Sequence, residues 1–132
     1  MVKPEIWGPP LWIKLHLTTF KYPDAPTSAD KDQIIDFFKN KVPTMIPCEE
    51  CVINYNKKLH YFPVELNVDS KYDLVRWLIN IHNQINQATG KPLMAYKDAI
   101  ALYENETGMF GLNKVIIVII LLLILIIIKC RS

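Results

Sequence analysis

The sequence predicts an all-α fold, a bundle of four to five helices followed by a C-terminal transmembrane helix. Three observations lead there. Apolar residues recur at three- and four-residue spacing in one segment after another. No stretch alternates at period two for long enough to make a strand, and prolines and capping residues punctuate the intervals. The chain has 132 residues, room for one small domain. We expect that domain to span residues 1–108, with 109–132 forming a membrane anchor and a short basic tail.

The first helix is expected near Trp7, with Pro9 or Pro10 in its first turn, where a missing N–H costs nothing. Leu11, Trp12, Leu15, His16 and Thr19 follow at helical spacing, and Pro23 and Pro26 close the segment. Thr27 or Ser28 can cap a second helix carrying Ile34, Ile35, Phe37 and Phe38, which should end before Pro43. Pro47 precedes a third helix, opening at Cys48 and running toward Leu59; residues 60–69 contain Pro63 and read as a loop. Ser70 and Asp73 resemble a capping box for a fourth helix, whose stripe is Leu74, Trp77, Leu78, Ile81 and Ile85. Gly90 and Pro92 should stop it, and a short fifth helix fits 93–103.

The tail is different in kind. From Val115 to Ile128 every residue is apolar, with no polar face to meet water. Fourteen residues make about 21 Å of helix, short of a hydrocarbon core of about 30 Å. Extended back to Met109, with Lys114 and Lys129 reaching toward the interfaces, the segment becomes long enough to span.

Charge and composition exclude several classes. The net charge is +2, and only Lys129 and Arg131 lie beyond the apolar block, so the main domain is close to neutral. That is not the electrostatic footprint of a nucleic-acid binder, and no nucleic-acid partner is expected. Four glycines cannot supply a dinucleotide-binding fingerprint, and neither a phosphate-binding loop nor a nucleophile elbow can be written from this sequence.

Cys48-Glu49-Glu50-Cys51 carries the first chemistry. At the start of a helix the backbone N–H groups stabilise a thiolate, and two cysteines one turn apart can close reversibly into a disulfide. A C-x-x-C can equally be half of a zinc site, which would need His60 or His82 at spacings unlike known zinc modules, or a pair of inert thiols. In the fourth helix His82, Asn83 and Asn86 share one face beside the apolar stripe, an expensive position for polar groups unless something polar is bound there. In the first helix Trp12 and His16 lie four apart and join an aromatic face to a ring nitrogen.

Taken together, W-G-x-x-x-W-x-x-L-H at 7–16, P-C-E-E-C at 47–51, Trp77, H-N-x-x-N at 82–86 and Gly90-Lys91-Pro92 resemble the Erv/ALR family of FAD-dependent sulfhydryl oxidases. The resemblance covers about residues 7–103, and the short form looks most like members encoded by large DNA viruses. It implies a helical bundle holding FAD non-covalently. Trp7, Gly8, Trp12 and His16 match the first flavin-contacting motif, and His82, Asn83 and Asn86 the second. Lys91 follows near the cofactor's phosphates or adenine, and Tyr96 stands where many members have a tryptophan. Cys51 matches the flavin-proximal cysteine and Cys48 the one that exchanges with incoming thiols. The family pattern is departed from at Ile46, often tyrosine, at Asn54, often histidine, and in the lack of a second cysteine pair.

The resemblance therefore implies a thiol oxidase that forms disulfides in a dithiol protein, thioredoxin-like or structural, and passes electrons through FAD to dioxygen, giving hydrogen peroxide. No metal is required. The competing reading is a zinc-binding or cofactor-free membrane-anchored helical adaptor. A homodimer is expected from the family. The N-terminus shows no apolar signal segment, so the expectation is a single-pass tail anchor with a cytosolic catalytic domain, in a host or virion membrane; Lys129 and Arg131 beyond the span are a contrary signal. Asn105-Glu106-Thr107 is a glycosylation sequon on the domain side of the span.

Overall fold

The computed structural model describes residues 2–106 and 109–131. The domain boundary expected at 108 falls outside those residues, as do Thr107 of the sequon and the side chain of Lys114. The described residues contain helices and no strands: α1 Pro4–Phe20, α2 Ser28–Asp36, α3 Val42–Met45, α4 Glu49–Tyr61, α5 Lys71–Ala88, α6 Tyr96–Glu106 and α7 Met109–Arg131. A π turn, Phe37–Lys41, joins α2 to α3, so residues 28–45 wind as one interrupted helix. The bundle therefore has five helical segments, as expected, followed by α7.

Three boundaries differ from the sequence expectation, each for a physical reason. Pro4, not Pro9 or Pro10, opens α1, and the latter two sit in its second turn. Their missing N–H groups leave the carbonyls of Glu5 and Ile6 without intrahelical donors. All four residues are exposed, so water can serve instead. The second helical stretch does not end before Pro43. The π turn widens the winding just ahead of it, with the N–H of Val42 donating to the carbonyl of Phe37, five residues back. That accommodates a ring that would otherwise strike the carbonyl four residues earlier. Finally, α6 starts at Tyr96 rather than 93, because the backbone N–H and carbonyl of Met94 are both taken by the Asn83 amide.

The caps read from sequence are present. Thr27 and Asp30 form a reciprocal capping box, at 3.1 and 2.8 Å. The N–H of Asp73 donates to Ser70 Oγ at 3.1 Å. At the end of α5, Gly90 takes φ of 70°, and the N–H groups of Gly90 and Lys91 donate back to the carbonyls of Gln87 and Asn86. This paired closure needs a left-handed residue, which glycine adopts without a Cβ penalty. It also fixes where Lys91 leaves the helix.

The core has two parts. Leu15, Phe38, Val42, Leu74, Leu78 and Ile81 centre the larger one, which packs α1, α2, α3 and α5 together. Phe20, Val75, Ile79, Ala99 and Tyr103 form the smaller one, docking α6 onto α1 and α5. Truncating a fully buried leucine in such a core costs roughly 2–5 kcal/mol. Polar anchors pin the loop between α4 and α5: Tyr22 Oη donates to the carbonyl of Val68 at 2.7 Å and Trp77 Nε1 to that of Phe62 at 2.8 Å.

In α7 every side chain from Val115 to Arg131 is exposed. Among the described residues no helix is long and apolar enough to cross a membrane.

Candidate functional site

Helices α1, α4 and α5 converge on a cleft of about 490 Å³, closed at one side by Tyr103 of α6. Its α1 wall presents Trp7, Gly8 and Trp12; α5 contributes His82 and Asn86, and Lys91 stands just beyond. Cys51 and Tyr55, one turn apart on α4, form the opposite edge. Seven of the residues singled out from sequence thus meet in one place, although they are spread over 85 positions of the chain, from Trp7 to Lys91. A second groove of about 500 Å³ shares His82, Asn86 and Lys91 with the cleft and is lined also by Pro92, Leu93 and Asp98.

Cys48 and Cys51 are joined in a disulfide. Cys48 is the N-cap of α4, its Sγ accepting from the N–H of Cys51 at 3.3 Å. Both are half-buried, but only Cys51 lines the cleft. Tyr55 is buried, and its Oη donates to the carbonyl of Phe38 in the π turn at 2.7 Å, which braces the cysteine-bearing helix against the preceding one.

The far wall is built of stacked rings. Trp12 lies on His82 with centroids 3.8 Å apart and planes 6° apart. His16 stacks on Tyr103 at 4.6 Å, and its Nε2 is 2.9 Å from Nδ1 of His82. Burial depresses both imidazoles. His16 falls to about 3, with His82 adding to the effect, and His82 to about 4, with the Lys91 ammonium adding to the effect. Both rings are therefore neutral at physiological pH.

Four sequence-selected residues do not line the cleft. Cys48 lies just outside it. His16 is wholly buried behind the wall, touching the lining residues His82 and Tyr103. Asn83 turns its amide to Met94, donating from Nδ2 to the carbonyl at 2.9 Å and accepting from the N–H at 2.8 Å. Tyr96 sits beside Tyr72 and Arg76; the aromatic residue of α6 at the cleft is Tyr103. The two tyrosines are seven residues, or two turns, apart on the same helical face, so only the docking of α6 distinguishes them. Tyr55, four residues after Cys51, was legible from that spacing and was not singled out. Ile46 and Asn54, the two departures from the family pattern, both line the cleft.

One feature of the cleft matches a bound flat group: Gly8 is buried, yet a Cβ built on it would meet no heavy atom within 4 Å, so the wall leaves open space there. Behind this wall, Nδ1 of His16 is buried without a hydrogen-bond partner among the described residues. Aromatic walls, a sulfur edge and a lysine at the rim fit an isoalloxazine with an anionic tail. Among the described residues no three His, Cys, Asp or Glu side chains come together to hold a metal ion.

Fold and site define a helical redox-disulfide protein with a cofactor-sized aromatic cleft. The chain belongs to the Erv1 / Alr family, whose model matches residues 9–104. It is similar to a probable FAD-linked sulfhydryl oxidase of Acanthamoeba polyphaga mimivirus, 38% identical over 104 residues, covering 78% of this chain and 72% of that one. An FAD-linked sulfhydryl oxidase of African swine fever virus is 29% identical over 98 residues, covering 74% and 80%. Among solved structures, the FAD binding domain of Erv1 from Saccharomyces cerevisiae superposes with a TM-score of 0.72 at 25% identity, covering 80% of this chain and 97% of that one.

Proposed function

We propose that this chain is an FAD-dependent thiol oxidase that forms disulfides in partner proteins and reduces dioxygen to hydrogen peroxide. The observation that carries the reading is the disulfide at the cleft edge, with Cys51 in the wall and Cys48 outside it. A substrate thiolate attacks Cys48 Sγ, forming a mixed disulfide and releasing Cys51 as a thiolate at the N-terminal end of α4, where the helix dipole stabilises it. A second substrate thiol attacks the mixed disulfide, leaving the substrate oxidised and Cys48 and Cys51 reduced. Bound FAD supplies the acceptor for the two electrons of that dithiol and the route to dioxygen. Trp7, Trp12, His82, Asn86 and Lys91 would hold it, with Tyr103 replacing Tyr96 as the aromatic contact.

The viral relatives support a viral origin. A dithiol protein, thioredoxin-like or structural, serves as substrate, acting directly on Cys48. The all-round exposed apolar surface of α7 supports attachment to a membrane through residues 115–128; we assign the catalytic domain to the cytosolic side. Family membership supports a homodimer.

The full chain, purified in detergent, should be yellow and should take up oxygen with dithiothreitol. Cys51→Ser should abolish turnover. Cys48→Ser should leave a thiolate beside the flavin, visible as a long-wavelength absorption band. A folded, colourless protein that stays inactive with added FAD overturns the reading, and the band in Cys51→Ser instead reverses the cysteine order. With microsomes, a sequon added at the N-terminus should stay unmodified; its glycosylation would place the domain in the lumen.

A further inference from the structure

The buried contact between His16 and His82 is not explained by holding a cofactor, because His16 does not itself line the cleft. Nε2 of His16 and Nδ1 of His82 are 2.9 Å apart, so one nitrogen carries the hydrogen and the other accepts it. Each ring is neutral and carries a single N–H. Two arrangements follow. If His82 donates from Nδ1, the hydrogen of His16 must sit on its own Nδ1, a fully buried N–H with no partner among the described residues. If His16 donates from Nε2, its Nδ1 is left as a bare acceptor, and the hydrogen of His82 moves to Nε2. A buried N–H without an acceptor is the rarer defect in folded proteins, so the second arrangement is preferred.

We propose that His16 is a positioning residue: its Nε2–H donates to Nδ1 of His82 and thereby fixes His82 as the tautomer that carries its hydrogen on Nε2. This rests on the thiol oxidase reading only for its purpose, which is to make His82 a hydrogen-bond donor toward an acceptor atom of FAD. The surroundings maintain the arrangement. The ring of Tyr103 covers His16, and that of Trp12 covers His82, fixing both ring planes. The groups felt by the pair are the Lys91 ammonium, which disfavours a second proton on His82, and the two imidazoles themselves. Neither ring should change its protonation between pH 5 and pH 8.

The test is long-range proton–nitrogen NMR of the purified full chain with ¹⁵N-labelled histidine. The protein has three histidines, so His60→Gln assigns the remaining signals. Both His16 and His82 should show the Nε2–H tautomer at pH 7 and keep it at pH 5. A His82 signal of the Nδ1–H tautomer, or a cationic ring at pH 7, overturns the proposal. FAD titration then separates positioning from packing. His16→Gln retains an amide donor and should stay within roughly threefold of the wild-type Kd, whereas His16→Leu should weaken binding roughly tenfold. Equal losses in two folded variants would also overturn it. Absence of FAD binding in the wild type would defeat the oxidase reading while leaving the tautomer measurement intact.

Discussion

Asn83 holds both backbone polar groups of Met94 with its one amide, at 2.8 and 2.9 Å, across eleven residues of sequence. The side chain thus acts like a short piece of neighbouring strand. It fixes the segment between Lys91 and α6, and with it the approach of α6 to the cleft. Asn83→Ala should cost about 1–3 kcal/mol in denaturant unfolding and should loosen FAD retention. Asn83→Asp keeps the acceptor but sets a carboxylate against the Met94 carbonyl, so it should not restore stability.

Gly8 offers a test in which stability and binding move in opposite directions. A methyl group there meets no protein atom, and it removes a glycine from a helix interior. Gly8→Ala should raise the thermal midpoint of the cofactor-free protein, equivalent to about 0.5–1 kcal/mol. FAD affinity should fall in the same variant, and further in Gly8→Val. Unchanged affinity in Gly8→Val would remove Gly8 from the binding wall.

The two tyrosines of α6 should behave differently. Tyr103→Leu preserves part of the smaller core but removes the ring stacked on His16, so FAD content of the purified protein should drop markedly. Tyr96→Leu loses the ring contacts with Tyr72 and Arg76, worth about 0.5–1 kcal/mol, and part of its packing at the edge of the smaller core, but lies away from the cleft and should leave FAD content unchanged.

The histidine pair makes stability depend on pH with a definite sign. Unfolded imidazoles titrate near 6.5, whereas His82 and His16 are depressed to about 4 and about 3 in the fold. Below 6.5 the unfolded chain binds more protons, so unfolding becomes easier as pH falls. The contribution is complete above pH 6.5, shrinks from there toward pH 4, and is lost as pH falls through the folded values. Urea unfolding should be easier at pH 4 than at pH 7, by on the order of a few kcal/mol, and a variant lacking both imidazoles should show a smaller difference.

Much of the fold was legible because its signals are local. Thr27 caps α2, Ser70 caps α5 through the N–H of Asp73, and Gly90 closes α5, each acting within one helical turn as its position implies. The boundaries that moved did so where a distant group intervened or a proline was tolerated. Pro43 is passed through by a π turn, and Met94 is claimed by Asn83 before α6 can begin.

The sequence by itself determined the helical class, which follows from periodicity and capping among neighbours three or four residues away, and it set Cys48 and Cys51 one turn apart. The set of aromatic and polar residues at the cleft was implied by the family resemblance of their motifs. Only the tertiary structure decided which member of each local set does which work. Asn83 and Asn86 share a helical face, yet one clamps a backbone and the other lines the cleft. Tyr96 and Tyr103 share a face, yet only Tyr103 reaches it. His16 looks like a ligand and is buried behind one. In each case the choice is set by which groups another helix brings within hydrogen-bonding or stacking distance, and residue spacing along one helix carries no information about that.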